Sequence, residues 1–252
     1  MAHGGAEDKG MTQKLPKLAL LAGSAVALAF PQGAHAALIF TAEVGGQTFH
    51  VEDNDANDTD ADTGVLRIAD QTVAGINLRG SIQSSRKDDN GLNVLNSSAL
   101  SVRNATNSPL TIRLAVSDTD FPGTSTSAFT SASGTFENSD GSTITLNWFV
   151  DALNSQGAET ISDTPGELID SFNFTAAGLA SSFSHDDDNI PTNLAGPYSM
   201  TLAFEYTLPV GGALISRGAT VLQDVEAVAE PGALGLLGLG LLAIGLRRRR
   251  RA

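Results

Sequence analysis

Ser199-Met200-Thr201-Leu202-Ala203-Phe204-Glu205-Tyr206-Thr207-Leu208 alternates large apolar residues with small or polar ones. A side-chain period of two sends Met200, Leu202, Phe204, Tyr206 and Leu208 to one face of an extended strand and the intervening residues to the other. The same period recurs in Thr48 to Val51, Gly75 to Ile82, Leu110 to Val116 and Thr143 to Val150. Between these runs stand Val44-Gly45-Gly46-Gln47, Asp88-Asp89-Asn90-Gly91, Asp140-Gly141 and Val210-Gly211-Gly212-Ala213. Such combinations accept the positive φ of tight hairpin turns. No helical period persists between residues 37 and 227. Short strands joined by Ser-, Thr-, Asn- and Gly-rich connections predict an all-β fold, an antiparallel β-sandwich or jelly-roll-like ectodomain. Within it, Trp148 shares a face with Ile144 and Leu146, which predicts a core position. Phe121-Pro122 and Phe129 are expected in or near loops, where they would seal the ends of a sandwich.

The two ends of the chain have a different composition. From Met11, Lys14 and Lys17 form a positive start, Leu18 to Phe30 is apolar, and Ala34-His35-Ala36 has the small-x-small pattern that precedes signal cleavage, so the mature start is expected at Ala37. The polar stretch from Met1 to Gly10 leaves either Met1 or Met11 as the start. At the other end, Ala229-Glu230-Pro231 precedes an apolar run from Gly232 to Leu246 and then Arg247, Arg248, Arg249, Arg250 and Arg251. At about 1.5 Å per helical residue that run reaches roughly 22 Å, short of a hydrocarbon core of about 30 Å. Gly232, Gly235, Gly238, Gly240 and Gly245 each weaken the helix by about 1 kcal/mol relative to alanine. A short, weak span of this kind suits a segment held only briefly in a membrane. The arginines set its orientation, because Lys and Arg beside a membrane segment stay cytoplasmic, leaving everything before Glu230 outside.

The order Glu-Pro, Gly- and Leu-rich span, terminal arginine cluster resembles the PEP-CTERM sorting signal of Gram-negative bacteria. The resemblance covers Val228 to Ala252, with Ala229 where the family has its first proline; the rigid φ of that proline is lost. It implies recognition by an exosortase, a membrane-embedded cysteine transpeptidase acting near Ala229-Glu230-Pro231, and an association with exopolysaccharide and biofilm. Leu100 to Phe121 also resembles sandwich ectodomains carried by other proteins with such tails. The expected organisation is a leader and signal helix at 1–36, an ectodomain at 37–227, and a sorting tail with a short membrane helix at 228–252. Secretion machinery and an exosortase-type enzyme are the expected partners. The destination is the cell surface or the extracellular matrix.

Removal of both signals takes out two acidic and eight basic residues and leaves 26 acidic against 7 basic, a net charge of −19. That balance opposes nucleic acid and anionic lipid as partners and favours divalent cations. With no cysteine, stability must come from a core rather than disulfides. The densest acidic stretch runs from Glu52 to Gly64. Asp53, Asp55 and Asn57, or Asp58, Asp60 and Asp62, match the first three ligand positions of an EF-hand loop, but neither register supplies the turn glycine or the closing glutamate. A solvated loop of like charges and a structural Ca²⁺ site therefore both stand open, and no other cofactor is expected. His185-Asp186-Asp187-Asp188-Asn189 reads as a polar turn, and His50 as a structural or exposed strand histidine. No nucleophile elbow, paired-histidine zinc motif or phosphate loop is present. The expectation is a non-catalytic exported surface or matrix protein. The alternative is an exported glycan-binding module or glycan-active enzyme, which would show Trp148 lining a groove beside two carboxylates rather than lying between sheets.

Overall fold

The computed structural model describes residues 38–79, 81–87, 92–98 and 101–225. The expected cleavage site at Ala34, Ala36 and Ala37, both terminal helices, the sorting tripeptide, the arginine cluster and the Asp88–Gly91 turn lie outside the described residues. Within them the fold is all-β, in two antiparallel sheets, and no helix is long and apolar enough to cross a membrane.

The six-stranded sheet contains β1 (Ile39–Val44), β2 (Gln47–Glu52), β9 (Leu110–Phe121), β11 (Thr143–Asp151), β12 (Glu167–Thr175) and β14 (Tyr198–Leu208), ordered β12-β11-β14-β9-β1-β2. The nine-stranded sheet is built on β15 (Ala213–Val225). One flank of β15 pairs with β10 (Thr124–Glu137), which pairs onward with β13 (Ala180–Ala195). The other flank meets two short columns placed end to end. One is β7 (Leu92–Ser98), β6 (Ser81–Arg86) and β3 (Val65–Ile68); the other is β8 (Ser101–Asn104), β5 (Ile76–Arg79) and β4 (Gln71–Val73).

Alternation decides which residues meet between the sheets. Phe40, Ile112, Leu114, Trp148, Leu202 and Tyr206 face inward from the first sheet and pack with Leu66, Ile76, Val102, Phe136 and Leu214 of the second in one buried cluster. Burial of each such side chain contributes about 1.5–3 kcal/mol. The β1–β2 hairpin closes through Gly45 (φ 56°) and Gly46 (φ 77°) between the paired Val44 and Gln47, a two-residue turn in which both central residues need positive φ. A second, small cluster of Ile39, Ala115 and Ala158 lies on the outer face of the first sheet, beneath the β11–β12 connection. Ser117 pins that connection by accepting the Gly157 amide at 3.1 Å.

Three expectations are corrected. Gly75 to Ile82 is not one strand: the chain leaves β5 after Arg79 and enters β6 at Ser81, so the two halves serve different columns. Phe129 is not near a loop but in the middle of β10, opposite Leu222. His185 to Asn189 is not a turn but the interior of the long edge strand β13. There, His185, Asp186 and Asp187 pair with Ala132, Ser131 and Thr130 of β10, Asp188 and Asn189 (φ 59°) fall in a bulge of the ladder, Phe183 turns inward, and Asp186, Asp187 and Asp188 remain exposed. Charges along a free strand edge hinder pairing with another chain.

Candidate functional site

The described residues present three places where polar chemistry concentrates. The first is the acidic loop after β2. Its carboxylates are occupied by their own backbone: Asp55 accepts the amides of Glu52 (3.1 Å), Asn57 (2.5 Å) and Asp58 (3.1 Å). Asp58 accepts those of Asn54, Asp60 and Arg67 at 2.9–3.0 Å, and Asp60 accepts that of Asp62 at 3.1 Å. Asp53 closes the loop by accepting the Gly64 amide at 2.8 Å. Gly64 sits at φ +81°, and a Cβ there would meet the Ser85 carbonyl at 2.8 Å, so only glycine fits. Asn57 and Asp62 enter this network as backbone donors, to Asp55 and Asp60, rather than as side-chain acceptors.

Two of these carboxyls are displaced in opposite directions. Burial raises the Asp53 pKa, the Gly64 amide opposes it, and the neighbouring charges of Asp58 and Asp60 reinforce it. Burial would also raise Asp55, but the amides of Glu52, Asn57 and Asp58 outweigh it and lower the pKa. Asp55 therefore contributes stability that is present above the ordinary aspartate range and lost as pH falls through its lowered folded value. One oxygen of Asp53, Oδ1, is buried without a hydrogen-bond partner. Among the described residues no three His, Asp or Glu side chains stand together as a ready metal-binding group.

The second place is a seam between the sheets. Asp170 of β12 reaches across to β13, where its Oδ2 lies 2.7 Å from His185 Nε2 and also accepts the Thr130 hydroxyl of β10. The other carboxylate oxygen takes the Ser171 amide at 2.7 Å. The imidazole stacks on Phe172 (4.6 Å between centroids, 21°) and lies 5.4 Å from the Trp148 ring. Trp148 is fully buried, with its ring between the sheets. This geometry does not make a nucleophile: the Thr130 hydroxyl donates to the carboxylate rather than to the imidazole, and hydroxyl activation needs the hydroxyl on the base. The sequence signal for the seam was faint, because Asp170 and His185 meet only through the pairing of β12 with β11 and of β13 with β10.

The third place is an ion pair at the end of β9, with its carboxylate buried and its lysine partly exposed. Lys87 Nζ lies 3.0 Å from Asp118 Oδ1 and 5.5 Å from the centre of the Phe121 ring. The Asp118 side chain is 2% exposed, and its pKa is raised by burial, against the lowering effect of Lys87 and the Thr119 amide. Nothing in the sequence pairs residues 87 and 118.

The segment that assigns the chain a route lies outside the described residues. Residues 227–250 match the family model of the PEP-CTERM protein-sorting motif. This chain carries a PEP-CTERM sorting motif. A motif of this kind implies exosortase-dependent export and sorting at the membrane. The PEP-CTERM match overlies Ala229-Glu230-Pro231 and Arg247 to Arg250, the residues from which the resemblance was read.

No curated protein matches the chain. Among solved structures it is similar to TmCBM61 in complex with beta-1,4-galactotriose, at 13% identity and a TM-score of 0.32, covering 61% of this chain and 91% of that one. It is similar to TmCBM27, a carbohydrate-binding module described for mannan recognition, at 11% identity and a TM-score of 0.29, covering 64% and 86%. It is also similar to the carbohydrate-binding module CBM36 in complex with calcium and xylotriose, at 16% identity and a TM-score of 0.25, covering 42% and 78%. At TM-scores this low, neither ligand nor site is carried over from them.

Proposed function

We propose that this chain is a non-catalytic surface or matrix protein of a Gram-negative bacterium. It enters the secretion machinery through a signal cleaved between Ala36 and Ala37. It is held briefly in the inner membrane with Arg247 to Arg251 in the cytoplasm, is processed by an exosortase near Ala229-Glu230-Pro231, and is delivered to an exopolysaccharide-containing matrix. The jelly-roll-like sandwich is the delivered cargo. The sorting motif at 227–250 carries this reading. The burial of Trp148 between the sheets supports a cargo without a saccharide-stacking active site.

Intact mass tests it. In cells with the processing enzyme the mature product is expected to begin at Ala37 and end near Glu230, with any added mass reporting what it is joined to. Without the enzyme the tail should be retained. A variant lacking residues 228–252 that kept the same size and destination as the parent would sink the proposal.

A structural calcium ion in the acidic loop is proposed separately, with Asp53, Asp55, Asn57, Asp58, Asp60 and Asp62 as the residues it would draw on. The support is the buried, unpartnered Oδ1 of Asp53 beside the like charges of Asp58 and Asp60. A bound cation would offset that repulsion, while taking oxygens from the amides they now cap. Because a ligand of the native state raises stability, the melting temperature should be higher in millimolar calcium than in chelator. Equal melting temperatures would remove calcium and leave backbone capping as the loop's role.

A further inference from the structure

On the outer face of the nine-stranded sheet an open groove of about 580 Å³ runs across β5, β8 and β15. Register builds it in two rows. Asn77, Arg103 and Ala213 stand opposite one another in one row, and Arg79, Ser101 and Ile215 in the next. Arg79 and Arg103 are therefore diagonal neighbours on adjacent strands, about 7–8 Å apart by ladder geometry. Both guanidinium groups are exposed, although the mature chain has only 7 basic residues against 26 acidic ones.

Most other cations here are taken. Lys87 is committed to Asp118, Arg67 contacts Asp60 at 3.3 Å, and Arg113 lies between Glu43 and Glu205. Arg103 has no ion pair among the described residues: its cross-strand neighbour on β15 is Ala213, and Glu137, which lines the far side of the groove from β10, stands one strand further away and sets the limit of the cationic part of the site. Arg79 makes only a 3.7 Å contact with Asp70, with both side chains well exposed.

The walls of the groove are held from below. The buried Asn104 side chain donates to the carbonyls of Ser108 (2.9 Å) and Leu208 (3.1 Å) and accepts from the Thr106 amide and hydroxyl. Its backbone exchanges hydrogen bonds with Gly211 and Gly212. One residue thus pins both turns that border the groove. Apolar surface is left open at the same place: Val210 is 53% and Ile215 40% exposed.

We infer that this groove binds a carboxylate-bearing saccharide chain, a uronate segment of an extracellular polysaccharide. The inference deepens the matrix reading above and rests on it for the source of the ligand. The fork of a guanidinium matches a carboxylate in two parallel hydrogen bonds, which gives both charge and orientation. Asn77 and Ser101 offer partners to ring hydroxyls, and Val210 and Ile215 offer apolar surface to the C–H face of a sugar. No tryptophan or tyrosine lines the groove, so binding depends on the two arginines and neutral glycans have no anchor. The domain's overall negative charge opposes a polyanion at a distance, but at physiological ionic strength that field is screened beyond about 8 Å, while contact pairs persist.

Calorimetric titration of the full chain in mild detergent tests this, with polygalacturonate, neutral dextran and polyaspartate as probes. Polygalacturonate should bind with an affinity that falls as salt rises, and dextran should not bind. R103Q should weaken binding at least about tenfold, the factor expected from loss of one charge-assisted pair. R79Q/R103Q should abolish it, and R113Q, outside the groove, should leave it unchanged. Both groove positions are exposed, so melting curves of the variants should overlay the parent. Absence of polygalacturonate binding, equal binding of dextran, or indifference to R79Q/R103Q would overturn the inference. Equally tight binding of polyaspartate would overturn the saccharide assignment and make the groove a site for acidic peptide. Tail processing is read by mass in cells, so failure of this titration leaves the sorting result intact, and the reverse.

Discussion

Trp148→Ala is expected to destabilise the sandwich by about 3–5 kcal/mol, a large part of the 5–15 kcal/mol typical of a whole domain. The indole is the largest fully buried side chain and sits on β11, between β12 and β14. Its ring meets His185 of the opposite sheet, and the contacts continue through Phe172, Phe183, Phe174 and Phe136 at centroid separations of 4.6–6.3 Å. Truncation removes the apolar transfer energy and also opens a cavity under a seam whose polar clip, Asp170 to His185, would then be reached by water. Trp148→Phe should cost much less. The indole N–H is buried with no hydrogen-bond partner, a penalty of about 1–3 kcal/mol that phenylalanine removes. Denaturant midpoints by far-UV circular dichroism are the measurement, because Trp148 is the only tryptophan and its fluorescence disappears with it. Equal losses for Ala and Phe would mean that the N–H, not the ring's volume, is what the site needs.

Lys87→Met should be comparably damaging at neutral pH, by about 3–5 kcal/mol, because it leaves a buried carboxylate without its counter-charge. The effect is asymmetric across the pair. Asp118 is 2% exposed and its lysine partner 30%, so Asp118→Asn leaves a cation that reaches water and keeps an acceptor for the Thr119 amide. Its cost should be distinctly smaller. The sign of the pH dependence follows from burial raising the Asp118 pKa above its ordinary value of 3.8. A raised folded pKa contributes stability fully present below 3.8 and lost as pH rises through the folded value. Without Lys87 the opposing charge is gone and the window extends upward. Parent and Lys87→Met should therefore have similar stability near pH 4 and diverge as pH rises. A constant difference from pH 4 to 8, or an Asp118→Asn cost as large as that of Lys87→Met, would contradict this account.

Legibility in the sequence followed the range of the interactions. Strands β2, β11 and β14 were readable because a period of two is a local property, and so was the core position of Trp148, whose same-face neighbours Ile144 and Leu146 lie within four residues. The acidic loop was readable as a loop from its composition. What its carboxylates do was not, because capping of amides such as Gly64 by Asp53 depends on backbone angles that composition does not specify. β13 was missed for a tertiary reason. Its Ser-His-Asp-Asp-Asp run has turn chemistry, and only pairing to β10 makes it extended.

The candidate sites divide in the same way. The sorting motif at 227–250 is contiguous, because a membrane enzyme reads it as a short segment, and it was legible without any fold. The Asp170–His185 clip, the Lys87–Asp118 pair and the Arg79–Arg103 groove join residues separated by 15 to 31 positions, and their partners are set by strand register.

By itself the sequence determined the class of the fold, the chain's strongly acidic character, and the sorting tail, since periodicity, charge and a linear motif need no tertiary partner. Tertiary structure alone decided which charges are buried, which are clamped and which remain open to a ligand. The physical reason is that pairing two strands brings side chains within a few ångströms irrespective of their distance along the chain, and electrostatic and packing energies depend on that separation.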